Sequence, residues 1–127
     1  MKFIYRFKYF LPAIIVAFGI FVASHQTYIK LPDLGFNFTD KILHLLAYLV
    51  FGFTLNIAVK KNFPVMGTSN RIIVVLVLGS IYALSDEVHQ YFIPGRTCDM
   101  LDWAADCFGI IVAVVLASKI KIAGSHA

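Results

Sequence analysis

Ser85-Asp86-Glu87-Val88-His89-Gln90-Tyr91-Phe92-Ile93-Pro94-Gly95-Arg96-Thr97-Cys98-Asp99-Met100-Leu101-Asp102 is the stretch that decides how the chain folds. It holds four of the seven acidic residues, a histidine and an arginine, and it lies between two apolar runs, 72–84 and 103–118. Either run becomes long enough to cross a membrane only by taking some of these polar residues into the bilayer. A charge at that depth costs roughly 2.5–3.5 kcal/mol on insertion scales, so charges found there are functional candidates.

The composition supports a membrane reading. The chain of 127 residues is 60% hydrophobic and only 14% charged, with a mean hydropathy of +0.82. A soluble domain is about 45–50% apolar and about 25% charged, and a soluble globule of this size cannot hide so much apolar surface. The net charge of +4 does not indicate nucleic acid, because the basic residues are scattered and abut apolar runs. Cys98 and Cys107 form neither a disulfide framework nor a metal motif.

Outward from the central stretch, the chain divides into four apolar spans, about 7–24, 41–59, 71–92 and 102–120, in one domain covering 1–127. Each is close to the roughly 20 residues that a bilayer requires. The basic start, the short apolar run and Val22-Ala23-Ser24 could read as a cleaved leader; an uncleaved first helix is the expectation, with Pro12 in its first turns, where a missing donor is tolerated. Residues 24–40 form a loop, and Thr39 or Asp40 is expected to cap the second helix. Pro94-Gly95 separates the third span from the fourth. The expected fold is all-α: a polytopic four-helix transmembrane bundle.

With both termini in the cytoplasm, Lys2, Arg6, Lys8, Lys60, Lys61, Arg71, Lys119 and Lys121 lie inside, eight of eleven basic residues. All seven acids then fall at the outer end. From the inner basic anchors, His44 and Glu87 are each sixteen residues away, Asp102 seventeen and Asp106 thirteen. At 1.5 Å per residue these are rises of roughly 20–25 Å. Four polar groups from three helices therefore share one level below the outer interface, and they should turn inward and meet. The helical arcs agree. Lys41, His44, Tyr48, Gly52 and Asn56 share one face, and Asp102, Asp106, Gly109 and Ala113 share another. On the third span Asp86, Glu87 and Gln90 lie opposite Tyr82, Ser85 and His89. Gly52 and Gly109 are read as packing residues.

Asp40-Lys41-x-x-His44-x-x-x-Tyr48, Ser85-Asp86-Glu87-x-x-Gln90, Pro94-Gly95-Arg96 and Asp99-x-x-Asp102-x-x-x-Asp106-x-x-Gly109 together resemble the VanZ-like family of small bacterial membrane proteins. The resemblance covers residues 40–113 and, through the four-span layout, nearly the whole chain. It implies a multi-pass protein of the bacterial cytoplasmic (inner) membrane, part of the cell envelope and linked to glycopeptide (teicoplanin) resistance.

The first functional expectation is an outward-facing polar pocket that binds a lipid or cell-wall precursor headgroup. Its expected lining is Lys41, His44, Tyr48, Ser85, Asp86, Glu87, Gln90, Arg96, Asp99, Asp102 and Asp106, with Arg96 as a bidentate clamp on phosphate or carboxylate. The second is an outer-leaflet enzyme in which Glu87 and His44, with Asp102, supply acid–base chemistry. A metal site on His44, Glu87, His89 and Asp102 lacks H-E-x-x-H spacing, so neither metal nor cofactor is expected. A purely structural network would pair Lys41 and Arg96 with Glu87 and Asp102. A transporter from so short a chain would require a homo-oligomer.

Overall fold

The computed structural model describes residues 7–27 and 38–120. A one-turn 3-10 segment, Lys8–Phe10, leads into α1, Leu11–Ser24; α2 is Thr39–Asn62, α3 Thr68–Tyr91 and α4 Met100–Lys119. Among the described residues there is no strand. α2, α3 and α4 are long and apolar enough to cross a membrane. The first apolar helix, Lys8–Ser24, falls short of that length, so the expectation of four spans is met by three helices.

The boundaries differ from the expected ones in ways that local chemistry explains. The helix α2 starts with Phe38 at its N-cap, and Thr39 and Asp40 already occupy helical positions. Asp40 in the first turn still favours the positive helix end. The break between α2 and α3 is shorter than the gap, 60–70, between the expected spans, partly because Lys60, Lys61 and Asn62 complete the last turn of α2. There the two lysines suit the negative end of the helix. Likewise α4 starts two residues before Asp102: the Asp99 side chain caps it by accepting the Leu101 N–H at 2.8 Å. Asp102 then stands in the first turn.

The helices run alternately up and down. At one end lie Asp40, Asp86, Glu87, Asp99, Asp102 and Asp106; at the other lie Lys8, Lys60, Lys61, Arg71 and Lys119. The most extensive contact is between α2 and α4, with α3 packed against both. That contact is close because glycine makes it so. A Cβ on Gly109 would run into the Leu45 carbonyl oxygen, and one on Gly52 would lie 3.0 Å from the Ile110 Cα. Ile110 fills the space beside Gly79 on α3 and is fully buried, as are Val75 and Ala113.

The outer surfaces of these helices are apolar. Ile73, Val77, Ile81, Leu84 and Val88 project outward from α3, Ile42, Leu46 and Val50 from α2, and Phe108, Ile111 and Val115 from α4. A water-soluble monomer does not carry apolar surface on this scale. Here the hydrophobic effect places the bundle in a membrane, and the core is held by close packing and by polar contacts at the acidic end.

α1 attaches differently. It packs on α2 and touches α3 more lightly. Tyr82 on α3 donates its hydroxyl to the Ala17 carbonyl at 2.6 Å. The ring of Tyr82 in turn packs on Phe51 and Tyr48 of α2.

Candidate functional site

The Lys41 ammonium, one turn into α2, is the organising cation of the acidic end. It donates to Asp99 Oδ2 at 2.7 Å and to Asp40 Oδ2 at 2.9 Å, and it lies 2.7 Å from Asp102 Oδ1. One ammonium therefore faces three carboxylates. Asp99 stands in the α3–α4 connection, and the Lys41 ammonium and the Leu101 N–H hold its carboxyl below the usual carboxylate range. Its backbone N–H donates to Glu87 Oε2 at 2.9 Å. The turn that follows Pro94-Gly95 is thus fixed on both sides, by an α2 lysine and an α3 glutamate. Gly95 itself adopts a φ of 82°, a left-handed conformation that favours glycine.

His44 lies one turn below Lys41 on the same face. Its Nδ1 is 3.0 Å from Asp106 Oδ1, and its Nε2 is 3.9 Å from Asp102 Oδ2. Glu87 and Asp106 are fully buried. Glu87 Oε1 and Asp106 Oδ2 have no hydrogen-bond partner among the described residues. His44, Glu87 and Asp106 each offer a ligand atom, and these atoms all lie within 4.8 Å of one another. The shared depth read from the sequence thus corresponds to a real meeting of α2, α3 and α4. It occurs at this depth because Gly109, one turn below Asp106, lets the two backbones approach.

On the other side of His44 is a cavity of about 310 Å³ between α1, α2 and α3. Ile20, Ala23, Leu43 and Ala47 form an apolar wall; Ser24, Asp40, His44, Tyr48, Asp86, Gln90 and Arg96 add polar groups. Gln90 Nε2 lies 3.4 Å from both Ser24 Oγ and Asp86 Oδ2. His44 therefore borders two compartments: the cavity and the buried carboxylates.

The expected site residues separate accordingly. Lys41, Glu87, Asp99, Asp102 and Asp106 gather behind His44; Tyr48, Asp86, Gln90 and Arg96 line the cavity with it. Ser85 joins neither group. It is exposed and donates to the Tyr82 carbonyl of its own helix, because its position on α3 points away from Glu87. Arg96 does not pair with Glu87 or Asp102. Its Nε donates to the Gln26 carbonyl at 3.2 Å and its Nη2 to the Ala23 carbonyl at 2.9 Å. A guanidinium has five N–H donors, so three are left over among the described residues. Arg96 sits where the α1 helix ends and carbonyls lack intrahelical partners, and its charge also suits the negative end of the helix. His89 is remote from the carboxylates and stacks on His25 with ring centroids 5.4 Å apart.

Six further residues of the site were not expected there. Ile20, Ala23 and Ser24 on α1 and Leu43 and Ala47 on α2 line the cavity, and Asp40, which also lines it, shares Lys41. Only Asp40 had a recognisable cue, its place beside Lys41.

A family model described as VanZ/LLP1 matches residues 4–122. The chain belongs to the VanZ/LLP1 family. Neither a curated protein nor a solved structure gives a match. In this VanZ/LLP1 member polar residues from three apolar helices converge at one end of the bundle, and the chain is a membrane protein.

Proposed function

We propose that the cavity beside His44 binds the headgroup of a lipid or a cell-wall precursor at the outer leaflet of the bacterial cytoplasmic membrane, and that this binding underlies a role in glycopeptide (teicoplanin) resistance. The observation that carries the reading is the two-sided lining. An apolar wall of Ile20, Ala23, Leu43 and Ala47 faces Arg96, Gln90, Ser24 and two carboxylates. An amphiphile would place its chain against the first and its headgroup against the second. The remaining Arg96 donors can reach a phosphate or carboxylate. In this reading α1 is the fourth span, with both termini cytoplasmic, as the segregation of basic and acidic ends supports.

Two measurements test it. Cys98 is exposed at the acidic end. In a Cys107→Ser background it should react with an impermeant thiol reagent in intact cells. A cysteine at Val65, on the opposite end, should not react once both native cysteines are replaced. The reverse pattern would put the cavity on the cytoplasmic side. Native mass spectrometry with an added phospholipid or a lipid-linked cell-wall precursor should show retention by the wild type and loss in Gln90→Leu. Equal retention would reject the cavity as the binding site.

A second reading is supported by the Asp106–His44 contact, which presents an oriented imidazole to the cavity. That arrangement suits a general base in an outer-leaflet enzyme. Glu87 is behind the imidazole rather than beside it in the cavity, so His44 would act with Asp106. Release of a headgroup fragment by wild type but not by His44→Gln would favour this reading over binding alone.

A further inference from the structure

We propose that His44, Glu87 and Asp106 form a divalent-cation site that takes Mn²⁺ or Zn²⁺, next to the cavity and independent of what the cavity binds. Three observations converge on it. One ligand atom from each residue lies within 4.8 Å of the others. Three ligands held at about 2.1 Å from a cation are separated by roughly 3.0 to 3.6 Å, so the cluster needs to contract by at most about 1.2 to 1.8 Å.

The second observation is the set of oxygens left over. Glu87 gives Oε2 to the Asp99 N–H, and Asp106 gives Oδ1 to His44. Glu87 Oε1 and Asp106 Oδ2 are buried and have no hydrogen-bond partner among the described residues. Both side chains are fully buried. An acceptor left unmatched in such a place is destabilising, and more so when charged.

The third is charge. The Lys41 ammonium is already shared by Asp40, Asp99 and Asp102. Arg96 points to α1 carbonyls. That leaves Glu87 and Asp106 with His44 as their neighbour, and two carboxylates match one divalent cation.

The donor set narrows the metal. One imidazole and two carboxylates, with no thiolate, suit a borderline or hard divalent ion. Three protein ligands leave coordination positions open for water or a bound ligand. His89, the other histidine weighed as a ligand, is paired with His25 at 3.3 Å and lies apart from the cluster. Two surface imidazoles are the obvious competing site for added metal, and the test must separate the two.

The experiment uses the whole chain in detergent, stripped with chelator and titrated with Mn²⁺ and Zn²⁺ separately. The expected result is one saturable equivalent, with electron spin-echo modulation of bound Mn²⁺ showing a single imidazole nitrogen. Glu87→Gln and Asp106→Asn should each weaken binding by roughly tenfold to a hundredfold or more. His89→Gln should leave it unchanged. Melting in chelator reports whether each variant folds, and the single-nitrogen signature of the wild type stands without them. No saturable binding to the wild type, a two-nitrogen signature, or loss with His89→Gln but not Glu87→Gln would each overturn the proposal. Headgroup retention can fail or succeed separately, since Gln90→Leu touches none of the three ligands.

Discussion

The α2–α4 seam and the α1 seam join helices by opposite means. Between α2 and α4 the backbones themselves meet: Gly109 lies against the Leu45 carbonyl and Gly52 against Ile110. Between α1 and the rest, long side chains reach for carbonyls: Tyr82 to Ala17, and Arg96 to Ala23 and Gln26. A backbone contact has no rotamers, so the first seam fixes the distance between His44 and Asp106. Side-chain tethers can lengthen and reform, so the second leaves the cavity beside α1 able to widen. The rigid seam holds the charges and the compliant one holds the opening.

This contrast is broken most severely at Gly109. Gly109→Ala puts a methyl group where the Leu45 carbonyl already stands, and backbone cannot step aside as a side-chain tip can. The expected loss is about 3 kcal/mol, the upper part of the usual cost of overpacking, read as a fall in detergent melting temperature. Gly79→Ala is the matched control: its new methyl would meet the far end of Ile110, Cδ1 at 2.7 Å, which can rotate. A milder effect at Gly109 than at Gly79 would show that the α2–α4 seam is not the rigid one.

Lys41→Met comes next. It leaves Asp102, which is buried, without its ion-pair partner. Breaking a buried pair in this way costs about 3–5 kcal/mol in full. Asp40 and Asp99 are partly exposed and water screens them, so about 2 kcal/mol is expected here. Melting of the single variant, and of Lys41→Met combined with Asp102→Asn, separates the orphaned charge from lost packing. The second change should restore part of the loss.

Arg96→Lys tests the compliant seam. An ammonium cannot reproduce two N–H donors set in a planar fork. The loss should be about 1 kcal/mol of stability, with faster hydrogen exchange confined to the end of α1 and weaker headgroup retention. Faster exchange in α2 or α4 as well would mean that the two seams are not independent. The smallest effect belongs to Tyr82→Phe. It removes one hydroxyl donor to Ala17 and keeps the ring packed on Phe51, so about 0.5 kcal/mol, the low end for one hydrogen bond, is expected, again felt in α1 exchange.

The same contrast explains what could be read from the sequence. The meeting of His44, Glu87, Asp102 and Asp106 was legible because each is a polar residue in an apolar span, at a measurable distance from a basic anchor. The small residues at 52 and 109 were legible as packing positions for a similar reason. The role of α1 was not. Its contributions, with the Gln26 carbonyl just past its end, are the carbonyls of Ala17 and Ala23 and the side chains of Ile20, Ala23 and Ser24. Every residue has a carbonyl, so an acceptor of that kind leaves no mark in a sequence. Arg96 was expected in the pocket lining, where it is; the alternative that paired it with Glu87 and Asp102 rested on charge complementarity, and a helix end competes for the same guanidinium. The Asp99 cap did leave a mark, the pair Asp99-x-x-Asp102, which fits an N-cap followed by an acid in the first turn.

The Gly109–Leu45 contact also sets an order of assembly. Its two halves are 64 residues apart in the chain, which at 5–20 residues per second is roughly 3 to 13 s of synthesis. During that interval Lys41 and His44 are already made, and Asp102 and Asp106, the partners that will receive them, are not. The nascent protein must therefore keep an ammonium and an imidazole near the interface until its last helix arrives. Completion of the site is a late event, governed by insertion of α4, and a chain stopped before Asp102 would leave Lys41 with Asp40 and Asp99 and His44 without Asp106.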